Sequence, residues 1–308
     1  MACSSYLTAF QAVSPNDQGT RPIFFDLNKL EGKAYIVKKI PCGQCIRCKL
    51  DRAAAWSVRC VHESKLYDSN CFVTLTYDDD NMPEDWSLRH EDFREFMRTL
   101  RSYYDRSQFD IGRDHRRKVK FFMCGEYGDR FGWPHYHSLL FNYDFKDKKY
   151  FRTTDTGHKV FTSDILSEFW GKGICEIGNV SYDSAGYIAR YCTKKVTGDM
   201  AYEHYRFVDP LGNVWNRLPE YGSNSNGIGL EFLRKFKGDV YPRDFVLKGQ
   251  AKLRVPRYYD KQFEVLYPDE FKEIKKKRLS NMKKRDEGFR QYCIREEVTY
   301  AQLNLRKA

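Results

Sequence analysis

The chain has 308 residues, of which 41% are hydrophobic and 16% aromatic, and its formal net charge at pH 7 is +11. This composition excludes a wholly disordered chain, and the lack of any run of about 18 apolar residues excludes a transmembrane helix. The positive charge favours a polyanionic partner, with nucleic acid first; the alternative is a basic protein whose charge only maintains solubility.

Residues 1–40 show no regular pattern, and we expect irregular structure there. The opening stretch, "MACSSYLTAFQAVSPNDQG", lacks the basic and continuous apolar segments of a signal peptide. We therefore expect the ten cysteines to lie in a reducing compartment, as thiols or metal ligands rather than as disulfides.

Beyond residue 42 the sequence alternates between helical and strand patterns. An alanine-rich helix follows the first cysteines, and β-branched and aromatic runs mark the strands. The predicted strands are 71–77, 119–127, 135–141 and 174–180, and the further predicted helices are 87–104, 163–173 and 183–196. We expect Asp183 or Ser184 to be the N-cap of the last helix.

This order of elements predicts an α+β fold with a largely antiparallel central sheet and packed helices. We expect one domain at residues 51–200. An N-terminal segment at 1–50 carries a cysteine cluster, and a basic C-terminal extension at 201–308 has helical and irregular structure. A charged helical stretch near 260–290 is either a solvated face or a contact for nucleic acid.

The cysteine cluster has metal-ligand spacing. Cys42, Cys45 and Cys48 follow a Cys-x₂-Cys-x₂-Cys pattern, with Cys60 and His62 downstream. Thiolates so spaced hold Zn²⁺ when a fourth ligand is supplied, and Cys60 is the candidate fourth thiolate. The alternative is a set of ordinary reduced thiols at the start of a helix.

A second candidate metal site lies in "GEYGDRFGWPHYHSLLF". On a strand, His135 and His137 point to one face about 6.5 to 7 Å apart, so both imidazoles reach one divalent cation. A tight return from the preceding strand brings Glu126 beside them. Two imidazoles and a carboxylate suit Mg²⁺ or Mn²⁺ only moderately, but leave open positions for phosphate oxygens. The alternative is a pair of hydrogen-bonded core histidines.

Two tyrosines share one face of the last predicted helix, "GYIARYCTKK". At about 100° per residue, Tyr187, Tyr191, Arg190 and Lys194 fall within one arc of about 100°, opposite an apolar face. Neighbouring cations favour the phenolate, and tyrosine is a covalent nucleophile in some enzymes. The alternative is that the tyrosines pack in the core.

These motifs, in this order, resemble those of the HUH endonucleases, which initiate rolling-circle replication. Together with "PCGQCIRCKLDRAAAWSVRC" and "FVTLTYDDDNMP", the chain is similar to replication initiation proteins of gokushovirus-type microviruses. The resemblance covers most of residues 40–200. It implies a metal-dependent nickase and strand transferase that acts on single-stranded origin DNA through a covalent 5′-phosphotyrosine.

Carried over by position, the resemblance implies His135, His137 and Glu126 as metal ligands. Tyr187 and Tyr191 are then the nucleophiles and Lys194 is the cation on the phosphate side. The chain departs from the common pattern in having Arg190, which cannot deprotonate, where lysine is frequent. Trp133 stands where a polar residue is common, and we expect it to stack on a base.

The resemblance places the protein in the cytoplasm of a bacterial host. The sequence contains no G-x-x-x-x-G-K-[ST] motif, so we expect a host helicase and a host polymerase as partners, and no membrane partner. Two alternatives stay open. One is a non-catalytic, zinc-stabilised protein that binds single-stranded DNA; the other is a phosphodiesterase that uses water as nucleophile.

Overall fold

The computed structural model describes residues 3–30, 32–110, 118–129, 131–191, 195–196, 198–281 and 289–305. In chain order the strands are β1 (Leu7–Ala12), β2 (Ile23–Phe24), β3 (Tyr35–Ile40), β4 (Asn70–Thr76), β5 (Lys120–Tyr127), β6 (Pro134–Phe141), β7 (Lys149–Thr153), β8 (Lys159–Thr162), β9 (Cys175–Gly178), β10 (Arg206–Val208), β11 (Val214–Asn216), β12 (Tyr221–Asn224), β13 (Val246–Lys248) and β14 (Ala251–Leu253). The helices are α1 (Ile46–Ser64), α2 (His90–Asp110), α3 (Asp164–Trp170), α4 (Tyr182–Tyr191), α5 (Ala201–Tyr205), α6 (Leu230–Lys235), α7 (Lys237–Val240), α8 (Arg257–Leu266), α9 (Pro268–Ser280) and α10 (Phe289–Leu305).

The chain divides into two compact units, one of residues 53–279 and one of residues 1–52 with 280–308. The larger unit contains a seven-stranded sheet in the order β12-β5-β6-β4-β9-β8-β7. Its strand pairs are antiparallel. The predicted α+β class with a largely antiparallel sheet is therefore confirmed. The four predicted strands correspond to β4, β5, β6 and β9 within a few residues.

The two faces of this sheet carry different side chains because strand residues alternate. On one face Val73, Leu75, Tyr136 and Leu140 pack with apolar residues of α2 and α3. On the other face Phe122, Cys124, Leu139 and Phe141 pack with apolar residues of α1 and α4. His135 and His137 share the parity of Leu139 and Phe141, so they lie on the face that α4 covers.

Helix α4 begins one turn earlier than predicted. Its N-cap is Ser181, whose hydroxyl accepts hydrogen bonds from the amides of Asp183 and Ser184 at 3.2 and 3.1 Å. The Ser184 hydroxyl in turn accepts from the Ser181 amide at 2.8 Å, a reciprocal cap. The prediction of Asp183 or Ser184 as N-cap was wrong, because Ser184 serves at the third helical position instead.

The C-terminal part of the larger unit forms an apolar cluster on α1. Val58 packs there with Leu233, Tyr259 and Phe263 from the later helices. Strand β12 pairs with β5 and adds the edge strand to the main sheet. Residues beyond 200 therefore contribute both to the sheet and to the packing around α1.

Buried His62 makes the stability of this cluster sensitive to acid. Its Nδ1 lies 3.1 Å from the Tyr259 hydroxyl, and its ring stacks on Phe232 with centroids 3.9 Å apart. Burial, and secondarily the charge of Lys65, lowers the pKa of His62 to about 4. The unfolded chain takes up a proton near pH 6.5 and the folded chain only near pH 4, so acid favours unfolding in that window.

We expect the free energy of unfolding to fall by up to about 3 kcal/mol from His62 alone as the pH drops from about 6.5 to 4. Urea unfolding at several pH values measures this slope. The variant His62→Gln lacks the titrating ring, so its slope should be shallower. An identical slope in the variant and the parent protein would contradict the assignment.

The smaller unit contains a three-stranded antiparallel sheet in the order β2-β1-β3. The prediction of irregular structure at residues 1–40 was therefore wrong. Side chains on both faces of these strands are largely exposed, and β3 shows no alternation of buried and exposed positions. Without that alternation the strand signal is weak. Among the described residues, no helix is both long enough and apolar enough to span a bilayer.

Candidate active site

Strand register assembles a group of two histidines and one glutamate. Glu126 on β5 lies directly opposite His135 on β6, and His137 follows two residues later on the same face. The Oε1 atom of Glu126 is 3.1 Å from His135 Nε2 and 3.0 Å from His137 Nε2. Glu126 and His137 are buried, and His135 is half-buried. The site is thus a compact cluster that opens to solvent on the His135 side.

Each imidazole is oriented through its other nitrogen. His135 Nδ1 lies 3.0 Å from the Trp133 carbonyl oxygen. A carbonyl only accepts, so Nδ1 carries the proton and Nε2 faces Glu126. His137 Nδ1 lies 3.0 Å from the Thr74 hydroxyl on the neighbouring strand β4. Metal-binding histidines are held in this way, with the outer nitrogen fixed by a hydrogen bond.

The protonation states suit metal binding. Burial lowers the pKa of His137, against the hydrogen bond to Glu126, which acts to raise it. Burial acts to raise the pKa of Glu126, but hydrogen bonds from His135 and His137 outweigh it, so this pKa lies below its ordinary value. At neutral pH the group therefore offers a neutral imidazole at His137 and a carboxylate at Glu126.

The spacing of the three groups fits a divalent cation. Neighbouring ligands in an octahedral shell with bonds of about 2.1 Å are about 3.0 Å apart. The two nitrogen–oxygen distances at Glu126 have this length, and the ligand atoms of the three residues all lie within 4.8 Å of one another. Three protein ligands leave open positions, as in catalytic rather than structural sites.

Helix α4 brings a tyrosine hydroxyl to this group. The Tyr187 hydroxyl is 3.5 Å from His137 Nε2, and the two rings meet edge to face with centroids 5.0 Å apart. The ring of Tyr191 is 4.4 Å from that of Tyr187 and 6.2 Å from that of His137. Both tyrosines are half-buried, whereas Ile188 and Ala189 are buried beneath the helix.

The expectation of a Tyr187 phenolate was wrong for this arrangement. Burial raises the pKa of Tyr187 far above its ordinary value, and the charge of Glu126 raises it further. Arg190 on the same helix is exposed to solvent. Lys194, the other predicted cation, and Cys192 lie outside the described residues. The phenol is therefore protonated in this environment.

Aromatic side chains adjoin the histidines. We call Trp86, Phe131, Trp133 and Phe207 the aromatic strip; successive ring centroids lie 5.5 to 6.4 Å apart. Arg217 stacks on Phe207 with its guanidinium 4.1 Å from the ring centre and donates to the Gly132 carbonyl at 2.7 Å. The sequence singled out Arg130, Phe131 and Trp133 near the site, but Arg130 lies outside the described residues, and Phe207 and Arg217 were missed.

The cysteines form a different group from the predicted one. Cys42, Cys45 and Cys48 cluster with Cys3, and Cys60 is not among them. Cys48 and Cys60 lie on one helix, twelve positions or about 18 Å apart along its axis. Cys60 is instead fully buried in the apolar cluster beneath the sheet, and His62 is bonded to Tyr259. An isolated Cys3 carries no spacing signal that sequence reasoning uses.

The fold and site define an α+β protein with a candidate metal centre that faces a tyrosine-bearing helix. Residues 70–196 match a family model for the replication-associated protein ORF2. The chain belongs to the family of microvirus replication-associated proteins, as its relatives make clear.

Three relatives support this assignment. The replication-associated protein VP4 of Bdellovibrio phage phiMH2K is 32% identical over 283 residues, covering 86% of this chain and 85% of the relative. The replication-associated protein ORF2 of Spiroplasma virus 4 is 36% identical over 257 residues, covering 80% and 73%. The replication-associated protein ORF4 of Chlamydia phage 1 is 28% identical over 243 residues, covering 76% and 56%. No solved structure matches the chain at a significant level.

Proposed function

We propose that the protein initiates rolling-circle replication of a phage genome by nicking single-stranded origin DNA and later rejoining it. The observation that carries this proposal is the position of the Tyr187 hydroxyl, 3.5 Å from a nitrogen of His137 that also faces Glu126. A nucleophile and a candidate metal centre thus adjoin one space. Membership of the replication-associated family and the charge of +11 support DNA as the substrate.

The residues that would hold Mg²⁺ or Mn²⁺ are His135, His137 and Glu126. When bound there, the cation would polarise the scissile phosphate and offset the Glu126 charge that raises the Tyr187 pKa. The Thr74 hydroxyl and the Trp133 carbonyl keep the two imidazoles in their binding orientation. His137 and Tyr191 pack against the Tyr187 ring and hold its hydroxyl toward the phosphate.

The transfer step conserves phosphate esters. The Tyr187 oxygen forms a bond to phosphorus while the bond from phosphorus to the 3′ oxygen breaks. The phenol loses its proton and the departing 3′ oxygen gains one, so no water is consumed. Reversal by a 3′ hydroxyl restores the phenol and closes the strand. Tyr191 is the candidate nucleophile for the second cleavage, because its ring lies 4.4 Å from that of Tyr187.

This chemistry defines the partners. A nick with a free 3′ hydroxyl supplies a primer, so the reaction has to be followed by a DNA polymerase. Unwinding requires a helicase, and the sequence has no P-loop of its own. We assign both activities to the bacterial host, and we place the reaction in the host cytoplasm.

End-labelled DNA tests the proposal. A randomised single-stranded oligonucleotide pool is incubated with the protein and Mn²⁺ and resolved on a denaturing gel. A 5′-phosphotyrosine keeps the 3′ label on the protein, whereas a 5′ label leaves on a shortened strand. Sequencing the protein-bound strands gives the preferred site.

Other outcomes select the alternatives. Cleavage without a protein-linked label indicates water as the nucleophile. A mobility shift without cleavage, at every metal tested, indicates a single-strand-binding protein. Either result overturns the proposal.

The aromatic strip is expected to stack on bases next to the nicked phosphate. Phe131 is 65% exposed, and its replacement by alanine should weaken binding of single-stranded DNA about tenfold, or about 1.4 kcal/mol. The salt dependence of binding should stay the same, because no charge is removed. Fluorescence anisotropy with a labelled strand measures both quantities.

Phe151→Ala is the matched control, because this phenylalanine is 56% exposed but lies on β7 at the far edge of the sheet. Equal affinity in Phe131→Ala and Phe151→Ala would remove the aromatic strip from the DNA-binding surface.

A further inference from the structure

Four thiols converge in the smaller unit, apart from the histidine site. The Sγ atoms of Cys3, Cys42, Cys45 and Cys48 all lie within 4.8 Å of one another. Cys3 Sγ is 3.5 Å from Cys42 Sγ and 3.8 Å from Cys45 Sγ. All four cysteines are free thiols. The chain has thus gathered four ionisable sulfur ligands around one point.

The sulfur separations fit a tetrahedral zinc centre. Zinc–sulfur bonds are about 2.3 Å long, so sulfurs at the corners of a tetrahedron are about 3.8 Å apart. The separations from Cys3 to Cys42 and Cys45 are close to this length. Sulfurs of a disulfide are about 2.05 Å apart. Four cysteine ligands complete a tetrahedral shell and leave no open position, which is typical of structural zinc.

Backbone amides surround two of the sulfurs. Cys3 Sγ accepts hydrogen bonds from the amides of Ser5 and Cys42 at 3.4 and 3.3 Å. Cys42 Sγ accepts from the amides of Gln44 and Cys45 at 3.4 and 3.3 Å. Amide donors stabilise thiolate rather than thiol, and such outer contacts support metal ligands. Ordinary buried thiols have no need of two amide donors each.

The smaller unit has little else to hold it together. Among its described residues, the buried apolar side chains other than Cys3 are Ala9, Ala12 and Leu30. Two of these are alanines, and units with so small a core are commonly stabilised by a metal or by disulfides. The four cysteines lie at the points that most need joining: ahead of β1, after β3, and at the start of α1.

We propose that Cys3, Cys42, Cys45 and Cys48 bind one structural Zn²⁺ ion. The left-handed Gly43, with φ of 75°, forms the turn between the first two ligands of the Cys-x₂-Cys-x₂-Cys segment. The centre joins the N-terminal strand to the first turn of α1. It uses none of the residues assigned to nicking, so it stands or falls independently of that activity.

Metal analysis of the purified full-length chain tests the proposal. Mass spectrometry of elements should find one zinc per chain. The zinc should remain in a His135→Ala/His137→Ala double variant, which excludes the histidine site as its source. Cys3→Ser should lose most of the zinc, and Cys293→Ser, a half-buried cysteine of α10 in the same unit, should retain it.

Cobalt substitution gives a second readout that does not depend on activity. Co²⁺ bound by thiolates shows intense sulfur-to-cobalt charge-transfer absorption, which is weaker with three thiolates than with four. Cys45→Ser should therefore reduce this absorption if the variant folds. Peptide mapping after alkylation should show the four cysteines protected until a chelator is added.

Three results would overturn the assignment. The first is a wild-type chain that takes up no zinc even after reconstitution under reducing conditions. The second is a Cys3→Ser variant with full zinc content and an unchanged cobalt spectrum. The third is loss of zinc in Cys60→Ala with the four proposed ligands intact, which would return the fourth position to Cys60.

Discussion

Alanine in place of either His135 or His137 is expected to slow nicking of single-stranded DNA about a thousandfold at fixed Mn²⁺. Loss of one metal ligand removes about 4 kcal/mol of transition-state stabilisation at the phosphate. His137 is buried, so His137→Ala leaves a small cavity; Glu126→Gln preserves the shape and removes the charge. Single-turnover cleavage with thermal unfolding of each variant separates lost chemistry from lost fold.

A graded series sharpens this test. Thr74→Val retains the ligands but removes the hydroxyl that orients His137, so Mn²⁺ affinity should fall about 10- to 100-fold. Excess metal should restore its rate, whereas it should not restore His137→Ala. Ser138→Ala is the matched control, because this hydroxyl sits between the same strands on the opposite face. Nicking within tenfold of wild type in His135→Ala and His137→Ala would remove the metal assignment.

Loss of the Tyr187 hydroxyl should abolish most covalent capture of DNA. In Tyr187→Phe we expect a much smaller protein-linked band, because the hydroxyl nearest His137 is absent. Tyr191→Phe should retain first cleavage but fail in the second transfer. The double variant should lose covalent product about 10⁴-fold or more, as expected when a nucleophile is removed. The band from a 3′-labelled strand measures each case.

Tyr182→Phe is the matched control on the same helix, because its hydroxyl bonds to the Leu247 carbonyl at 3.2 Å, away from the site. This variant should form adduct at the wild-type rate. DNA binding should survive in all four variants, since the phenyl rings remain. A protein-linked band of normal intensity in the double variant would show that a different residue attacks, and the roles of both tyrosines would fall.

Much of the candidate site followed from local periodicity. A period of two placed His135 and His137 on one face of β6, and a short turn returned Glu126 to the position opposite His135. A period of 3.6 placed Tyr187 and Tyr191 together on α4. These relations span few residues, so the sequence expresses them directly.

Other features were outside the reach of sequence patterns. Strands β7 and β8 escaped because they are short and largely exposed, with a bulge between Tyr150 and Arg152. Strand β12 lies far along the chain from its partner β5. The Thr74 hydroxyl became part of the site only because β4 pairs with β6. Each depends on contacts between distant segments, which no window of neighbouring residues contains.

The sequence by itself determined the α+β class, the histidine–glutamate group and the tyrosine-bearing helix. Only the tertiary structure decided that Cys3, 39 positions before Cys42, completes the thiol cluster in place of Cys60. It also decided that burial and Glu126 raise the pKa of Tyr187, against the charges of its own helix. The reason is that side-chain periodicity is a local property, whereas ligand closure and desolvation arise only when remote segments pack together.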